Sequence, residues 1–233
     1  YRPSSSWKLF ASYNVGYRLP SFTELYYKSP THDGNRDLKP ETSHNFQIAA
    51  KYYRRGVDIT AKTFYHLGRD MIDWVYETAE AKRYQAMNIG KLDNLGLNIE
   101  AKCNMSRLLC PDLAVEGKEP WLMTVGYAYI NQEHDTEHQI YGSLYALEYL
   151  RHKFTMQLDH RIVSRLSAQW NLRWQQRMNG YHPYAKLDGK LQYAFPHCLL
   201  YVKADNITCH RYYDLGAVKQ PGLWIMAGAK LCL

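Results

Sequence analysis

The residues best suited to recognition are aromatic, basic and imidazole side chains gathered in polar segments. Tyr26, Tyr27, His32 and Arg36 fall in one such segment, and Tyr181 and His182 in another. Tyr faces stack on planar groups, and the Arg fork donates two parallel hydrogen bonds to carboxylates and phosphates. Together they suit a planar, anionic chelate, and equally suit a plain role as solvated loop residues or interfacial aromatics. His134 and His138 are four apart, but their polar surroundings read as a loop, which gives them no shared face for a metal. His134-Asp135 and His182 are also the only candidates for a water-activating Asp/His pair. Neither comes with a recognisable partner set, so no catalytic residue, metal site or cofactor is assigned.

The elements that position these residues alternate with a period of two. Leu166, Ala168, Trp170, Leu172 and Trp174 are strictly interleaved with Ser167, Gln169, Asn171, Arg173 and Gln175. One face is wholly apolar and the other wholly polar. The same pattern recurs near 6–17, 45–52, 57–77, 84–104, 121–131, 150–159, 186–195 and 198–207. It ends with Gly222–Leu233, where Ile225, Ala227, Ala229, Leu231 and Leu233 alternate with Trp224, Met226, Gly228, Lys230 and Cys232. Ten antiparallel strands and no helix are predicted. The third, at about twenty residues, is far longer than the usual globular strand and is expected to overshoot a membrane, and the fourth is read as one strand from about Tyr84 to Asn104. Short connections at Arg54–Gly56, Val163–Arg165 and Pro196–His197 alternate with longer ones rich in Tyr, His and Gly, the pattern of an outer-membrane barrel.

Composition agrees. The 233 residues contain 21 Tyr and 6 Trp but only 6 Phe, and aromatics with a polar handle suit a boundary between apolar and wet surroundings. No run of about eighteen apolar residues occurs, which excludes a transmembrane helix but not transmembrane strands. The net charge of +7 suits contact with anions such as lipopolysaccharide, but the charges do not cluster with aromatics, so no nucleic-acid partner is expected. Five cysteines leave at least one unpaired; Cys103 and Cys110 bracket a connection and have the spacing for a bridge. On the polar face, Lys62, Lys153 and Arg173 either line a path for anions or pair with Asp58, Asp159 and their neighbours.

Several segments resemble the C-terminal part of TonB-dependent outer-membrane receptors. Trp7–Tyr26, with Leu19-Pro-Ser-Phe-Thr-Glu-Leu-Tyr26, looks like a family strand running into its Pro-Ser-x-x-Glu-Leu-Tyr loop. Asn35-Arg-Asp-Leu-Lys-Pro-Glu41 is similar to the segment that opens the next strand. Met87-Asn-Ile-Gly-Lys91 with Gly96-Leu-Asn-Ile-Glu100, Asp205-Asn206 through Tyr212, and Gln220-Pro-Gly-Leu-Trp224 continue the likeness. The resemblance implies an all-β fold: the last ten strands of a plugged barrel of about 22 strands, with the plug domain and earlier strands outside residues 1–233. It further implies TonB-driven uptake of a scarce metal chelate (ferric siderophore, haem or cobalamin) across the outer membrane of a Gram-negative bacterium. Outer-membrane lipid and lipopolysaccharide are the expected surroundings, and the TonB complex a partner through the plug. Trp224, Leu231 and Leu233 would belong to the closing strand, with Leu233 where the family usually ends in an aromatic. The competing reading is a small free-standing barrel, possibly a ten-stranded protease.

Overall fold

The computed structural model describes residues 1–109, 121–135, 140–144, 149–178, 180–213 and 218–231. Ten strands form one antiparallel sheet. In sheet order they are β1 (Trp7–Arg18), β3 (Glu41–Arg54), β4 (Val57–Arg69), β7 (Lys91–Asn104), β8 (Leu122–Asp135), β10 (Leu150–Val163), β11 (Leu166–Arg177), β12 (Tyr184–Ala194), β13 (Cys198–Asp205) and β14 (Trp224–Leu231). Each strand pairs with its sequence neighbour in the sheet, so hairpin contacts build the whole surface.

Register makes the alternation of single strands into two continuous faces. Along one row Leu9 lies opposite Ala50, Ala50 opposite Ala61, Ala61 opposite Ile99 and Ile99 opposite Tyr127. Along another, Met156 faces Leu172 and Leu172 faces Leu187. At the far end Leu191 faces Val202, and Val202 faces Ala227. This apolar face is open: Ile48 and Ile225 are each 64 % exposed. A soluble sheet would bury such a face against a second layer, and none covers it among the described residues. Aromatic pairs line this face, with Trp7 on Tyr52 and Trp121 on His160 near strand ends and Tyr13 on Phe46 in mid-strand. Cys198 lies opposite Leu231, so it shares the apolar face, as the alternation predicts.

The other face is polar, and its ion pairs differ from those expected. Asp58 pairs with Lys51 at 3.0 Å rather than with Lys62. Asp159 accepts from the amides of Gln157 and Gln169 at 2.6 and 2.7 Å, and takes no lysine or arginine. The long third and fourth strands also need correction. The first breaks after β4 at Asp70, whose φ is +52°, and resumes as β5 (Ile72–Tyr76). The second begins as β6 (Tyr84–Asn88), breaks at Gly90 with φ +85°, and continues as β7. A left-handed residue turns the strand out of the ladder, and Gly takes that conformation without steric cost. β5 and β6 then join β2 (His32–Asp33) and β9 (Gly142–Ser143) in a separate sheet of order β2-β6-β5-β9.

This small sheet holds the most completely buried side chains among the described residues. Val75 and Ala86 are fully buried, and Leu38 and Trp74 nearly so, with Leu25, Ile72, Tyr84 and Leu144 packed around Leu38, Trp74 and Ala86. Two short helices, α1 (Phe22–Tyr26) and α2 (Met105–Leu109), replace the expected helix-free chain. Cys103 is a free thiol, so the Cys103–Cys110 bridge is not formed; Cys110 lies outside the described residues.

β1 and β14 each have one neighbour in the sheet, leaving an unpaired edge on either side. Unpaired edges beside an open apolar face promote association. Expressed alone without detergent, the chain is expected to aggregate, as light scattering would register. A stable, monodisperse monomer in plain buffer would contradict this.

Candidate ligand-binding loop region

The segment between β1 and β3 is a braced structure. Ser21 caps α1: its hydroxyl accepts from the Glu24 amide at 3.3 Å, while the Glu24 carboxylate accepts from the Ser21 amide at 2.6 Å. This is a capping box, and its Ser-x-x-Glu spacing is visible in the sequence. Arg18, the last residue of β1, then ties three elements together. Its Nε and Nη2 donate to the two Glu41 oxygens at 2.7 and 2.6 Å, and Nη1 donates to Glu24 at 3.0 Å. Glu41 Oε1 also accepts from the Ile72 amide at 2.7 Å, joining the brace to β5. The Asn88 side chain clips the same region, bonding the Lys39 amide at 2.9 Å, the Lys39 carbonyl at 3.0 Å and the Asp70 carbonyl at 2.6 Å. Asp73, 2 % exposed, accepts from the Trp74 amide and the Ser143 hydroxyl, which fastens β9 to β5.

Burial pushes the Glu24 carboxyl up, but the hydrogen bonds from Arg18 and Ser21 together outweigh it and hold the group below the usual carboxylate range. A depressed carboxyl adds stability above its unfolded pKa of about 4.3, and that stability is lost as pH falls through the lower, folded value. A spin label at the exposed Lys28 is therefore expected to gain mobility only below about pH 4, with Glu24→Gln abolishing the transition. Label mobility that ignores pH in this window would show that Glu24 is not holding the segment.

The four aromatic and basic residues expected in this segment do come together, in two distinct settings. Tyr26 packs on Phe22 with ring centroids 4.6 Å apart, and the Arg36 guanidinium lies 5.2 Å from the Tyr26 centroid. Both are exposed and help line an open cleft of about 390 Å³ with Lys28, Asp33, Asp37 and Gln85. Its size falls within the range of small-molecule pockets. Its lining of two cations, two carboxylates, the amides of Asn35 and Gln85 and a phenol suits a polar ligand with hydrogen-bonding oxygens. Gly34 closes the turn beneath it: its amide donates to the Tyr27 carbonyl at 2.7 Å, and a Cβ there would meet the Glu24 carbonyl oxygen at 2.9 Å. Tyr27 is about half exposed beside His32. His32 is wedged between Trp74, edge-on at 5.1 Å, and Tyr84, stacked at 5.4 Å. It packs the loop onto the small sheet.

The remaining candidates are scattered. His134 is in β8, opposite Leu92, and not in a loop as its polar surroundings suggested; His138 lies outside the described residues. Tyr181 and His182 follow β11, at the same end of the strands but well removed in sheet order, with His182 exposed. Trp224 opens β14 opposite Asp205 and Leu231 ends it opposite Cys198, while Leu233 lies outside the described residues. Arg18, Glu41, Asp73 and Asn88 were not singled out from sequence. Only the capping box offered a local signal; the others act through partners distant in the chain.

Comparison with known proteins locates this architecture. The vitamin B12 transporter BtuB of Vibrio vulnificus (strain YJ016) is 33 % identical over 99 residues, which is 42 % of this chain and 16 % of that protein. The copper transporter OprC superposes with a TM-score of 0.72 at 15 % identity, over 97 % of this chain and 37 % of that one. The FrpB iron transporter from Neisseria meningitidis superposes with a TM-score of 0.70 at 14 % identity, over 98 % of this chain and 37 % of that one. At such identity the two structures speak for the fold alone, a partial barrel of mostly antiparallel strands. The chain thus spans well under two-thirds of the proteins it matches. Residues 1–208 match the model of the TonB dependent receptor-like β-barrel, and the chain belongs to that family.

Proposed function

We propose that the chain is the C-terminal portion of an outer-membrane receptor that takes up a scarce metal chelate with energy delivered through TonB. The observation that carries this is the pair of faces running unbroken across ten strands. The apolar face suits outer-membrane lipid, with lipopolysaccharide beyond its upper rim, and the polar face suits a barrel interior. The small sheet and the cleft beside Tyr26 and Arg36 would then stand at the outer mouth, where cargo first touches. Earlier strands and a plug in the longer protein would close the barrel and receive the TonB contact. The family is one of receptors, which favours transport over the protease reading. The similar proteins carry copper, iron and vitamin B12 in their names, so the family likeness leaves the cargo open among metal chelates.

The test is genetic. Deleting the gene is expected to abolish growth on one defined source of limiting iron or cobalamin, and loss of TonB is expected to reproduce the defect. Normal growth of the deletion strain on every such source would overturn the proposal.

A further inference from the structure

The polar face is mostly charge-balanced. Lys51 pairs with Asp58, Lys102 with Glu100, Lys186 with Asp188 and Lys203 with Asp205, at 2.9–3.1 Å, and Lys190 sits over the Tyr201 ring. The balance fails at Lys62 of β4 and, as a pair of neighbours, at Lys153 of β10 and Arg173 of β11. Lys153 lies opposite Gln175. Arg173 lies between Thr155 of β10 and Lys186 of β12. Like charges set directly opposite destabilise a sheet, yet Arg173 faces Lys186, whose own ammonium is already held by Asp188.

No carboxylate among the described residues pairs with Lys153 or Arg173. Asp159, the acid on the same strand as Lys153, is satisfied by the two glutamine amides. The Nε of Arg173 is buried and has no acceptor. Burying an unsatisfied charged donor costs more than burying a neutral one, so an anion bound at this position would be stabilising. A guanidinium fork and an ammonium at diagonal cross-strand positions suit a ligand with several negative oxygens.

We propose that Lys153 and Arg173 form an anion-binding subsite on the polar wall, which selects multiply charged, oxygen-rich chelates over neutral ones. This rests on the reading that the polar face lines the cargo's path. The subsite lies on the same strands that carry Tyr181 and His182 at their outer end, so cargo entering from that rim meets the cations early. Vitamin B12, named for the Vibrio relative, would give these cations no multiply charged partner.

The test uses the full receptor carrying this chain, in detergent micelles, with two iron probes of similar size. Iron(III) tris-catecholate is a trianion, and iron(III) tris-acetohydroxamate is neutral. Equilibrium binding of radiolabelled iron is expected to favour the trianion at least about tenfold and to weaken as salt rises. Arg173→Gln and Lys153→Gln are each expected to erase most of that preference, while Arg173→Lys keeps it and Lys62→Gln, three strands from β10 on β4, leaves it unchanged. Heat-modifiable gel migration reports whether each variant is folded. Equal binding of both probes, or an unchanged preference in folded Arg173→Gln and Lys153→Gln, overturns the subsite. TonB-dependent uptake without a charge preference would sink the subsite and leave the transport reading standing. Trianion binding lost in these variants, with no TonB-dependent uptake, would do the reverse.

Discussion

Leu172→Arg is expected to cost the folded barrel about 2–4 kcal/mol in a bilayer, the range found for a cation at the midplane of a lipid-facing wall. Leu172 sits near the middle of β11 on the apolar face, between Met156 and Leu187. Its neighbour Asn171 points to the polar face, opposite Gln157 and Asp188. Asn171→Arg is therefore expected to change stability by less than about 1 kcal/mol, since it adds a solvated charge beside a carboxylate. Urea-driven unfolding from lipid vesicles measures both. The contrast between adjacent positions is the informative quantity, because a general intolerance of arginine in β11 would penalise both. Equal costs at 171 and 172, or a cost only at 171, would contradict the assignment of the apolar face to lipid.

That prediction rests on information the sequence carries openly. Strand β11 alternates strictly from Leu166 to Gln175, and one such strand sets the phase of its neighbours because register transmits the face across the sheet. The ten sheet strands, their order and their short turns at Arg55-Gly56 and Ser164-Arg165 are local properties of the chain. What failed locally was the end of a strand. Ile72, Trp74 and Tyr76 alternate again past Arg69, but on even positions where Tyr65 and Leu67 stood on odd ones, so a one-residue slip in the period marks the break at Asp70. The break exists because β5 finds better partners in β6 and β9, and that preference is tertiary. The same holds for His32. Its type suggests a ligand contact, but its neighbours Trp74 and Tyr84 come from other segments and make it a packing residue. Ser21 and Glu24 are the opposite case, a capping box written in the sequence within a stretch that composition alone assigns to loop.

Arg18→Ala should loosen this outer structure while leaving the ten-stranded sheet intact. Glu41 and Glu24 have side chains only 11 % and 13 % exposed, so removing their shared cation leaves two largely buried carboxylates within reach of one another. Breaking a buried pair from one side costs about 3–5 kcal/mol. Arg18 itself is 44 % exposed, and solvent screening trims the expected loss to about 2–3 kcal/mol. The Leu25 amide bonds the Ser21 carbonyl, and the Ile72 amide bonds Glu41. Hydrogen exchange at both is expected to accelerate roughly 30- to 150-fold, while amides in the middle of β11 keep their protection. Arg18→Lys keeps the charge but loses the fork, and falls between the two because one ammonium cannot reproduce both oxygen contacts to Glu41. If Ile72 and Leu25 exchange as slowly in Arg18→Ala as in the parent, the brace is incidental and the Leu38–Trp74–Ala86 cluster alone holds the segment. If they accelerate together, α1 and β5 open as one unit. Tyr26 and Arg36 then lose their fixed spacing at the cleft, and a residue that need not touch cargo would still govern how tightly the outer mouth binds it.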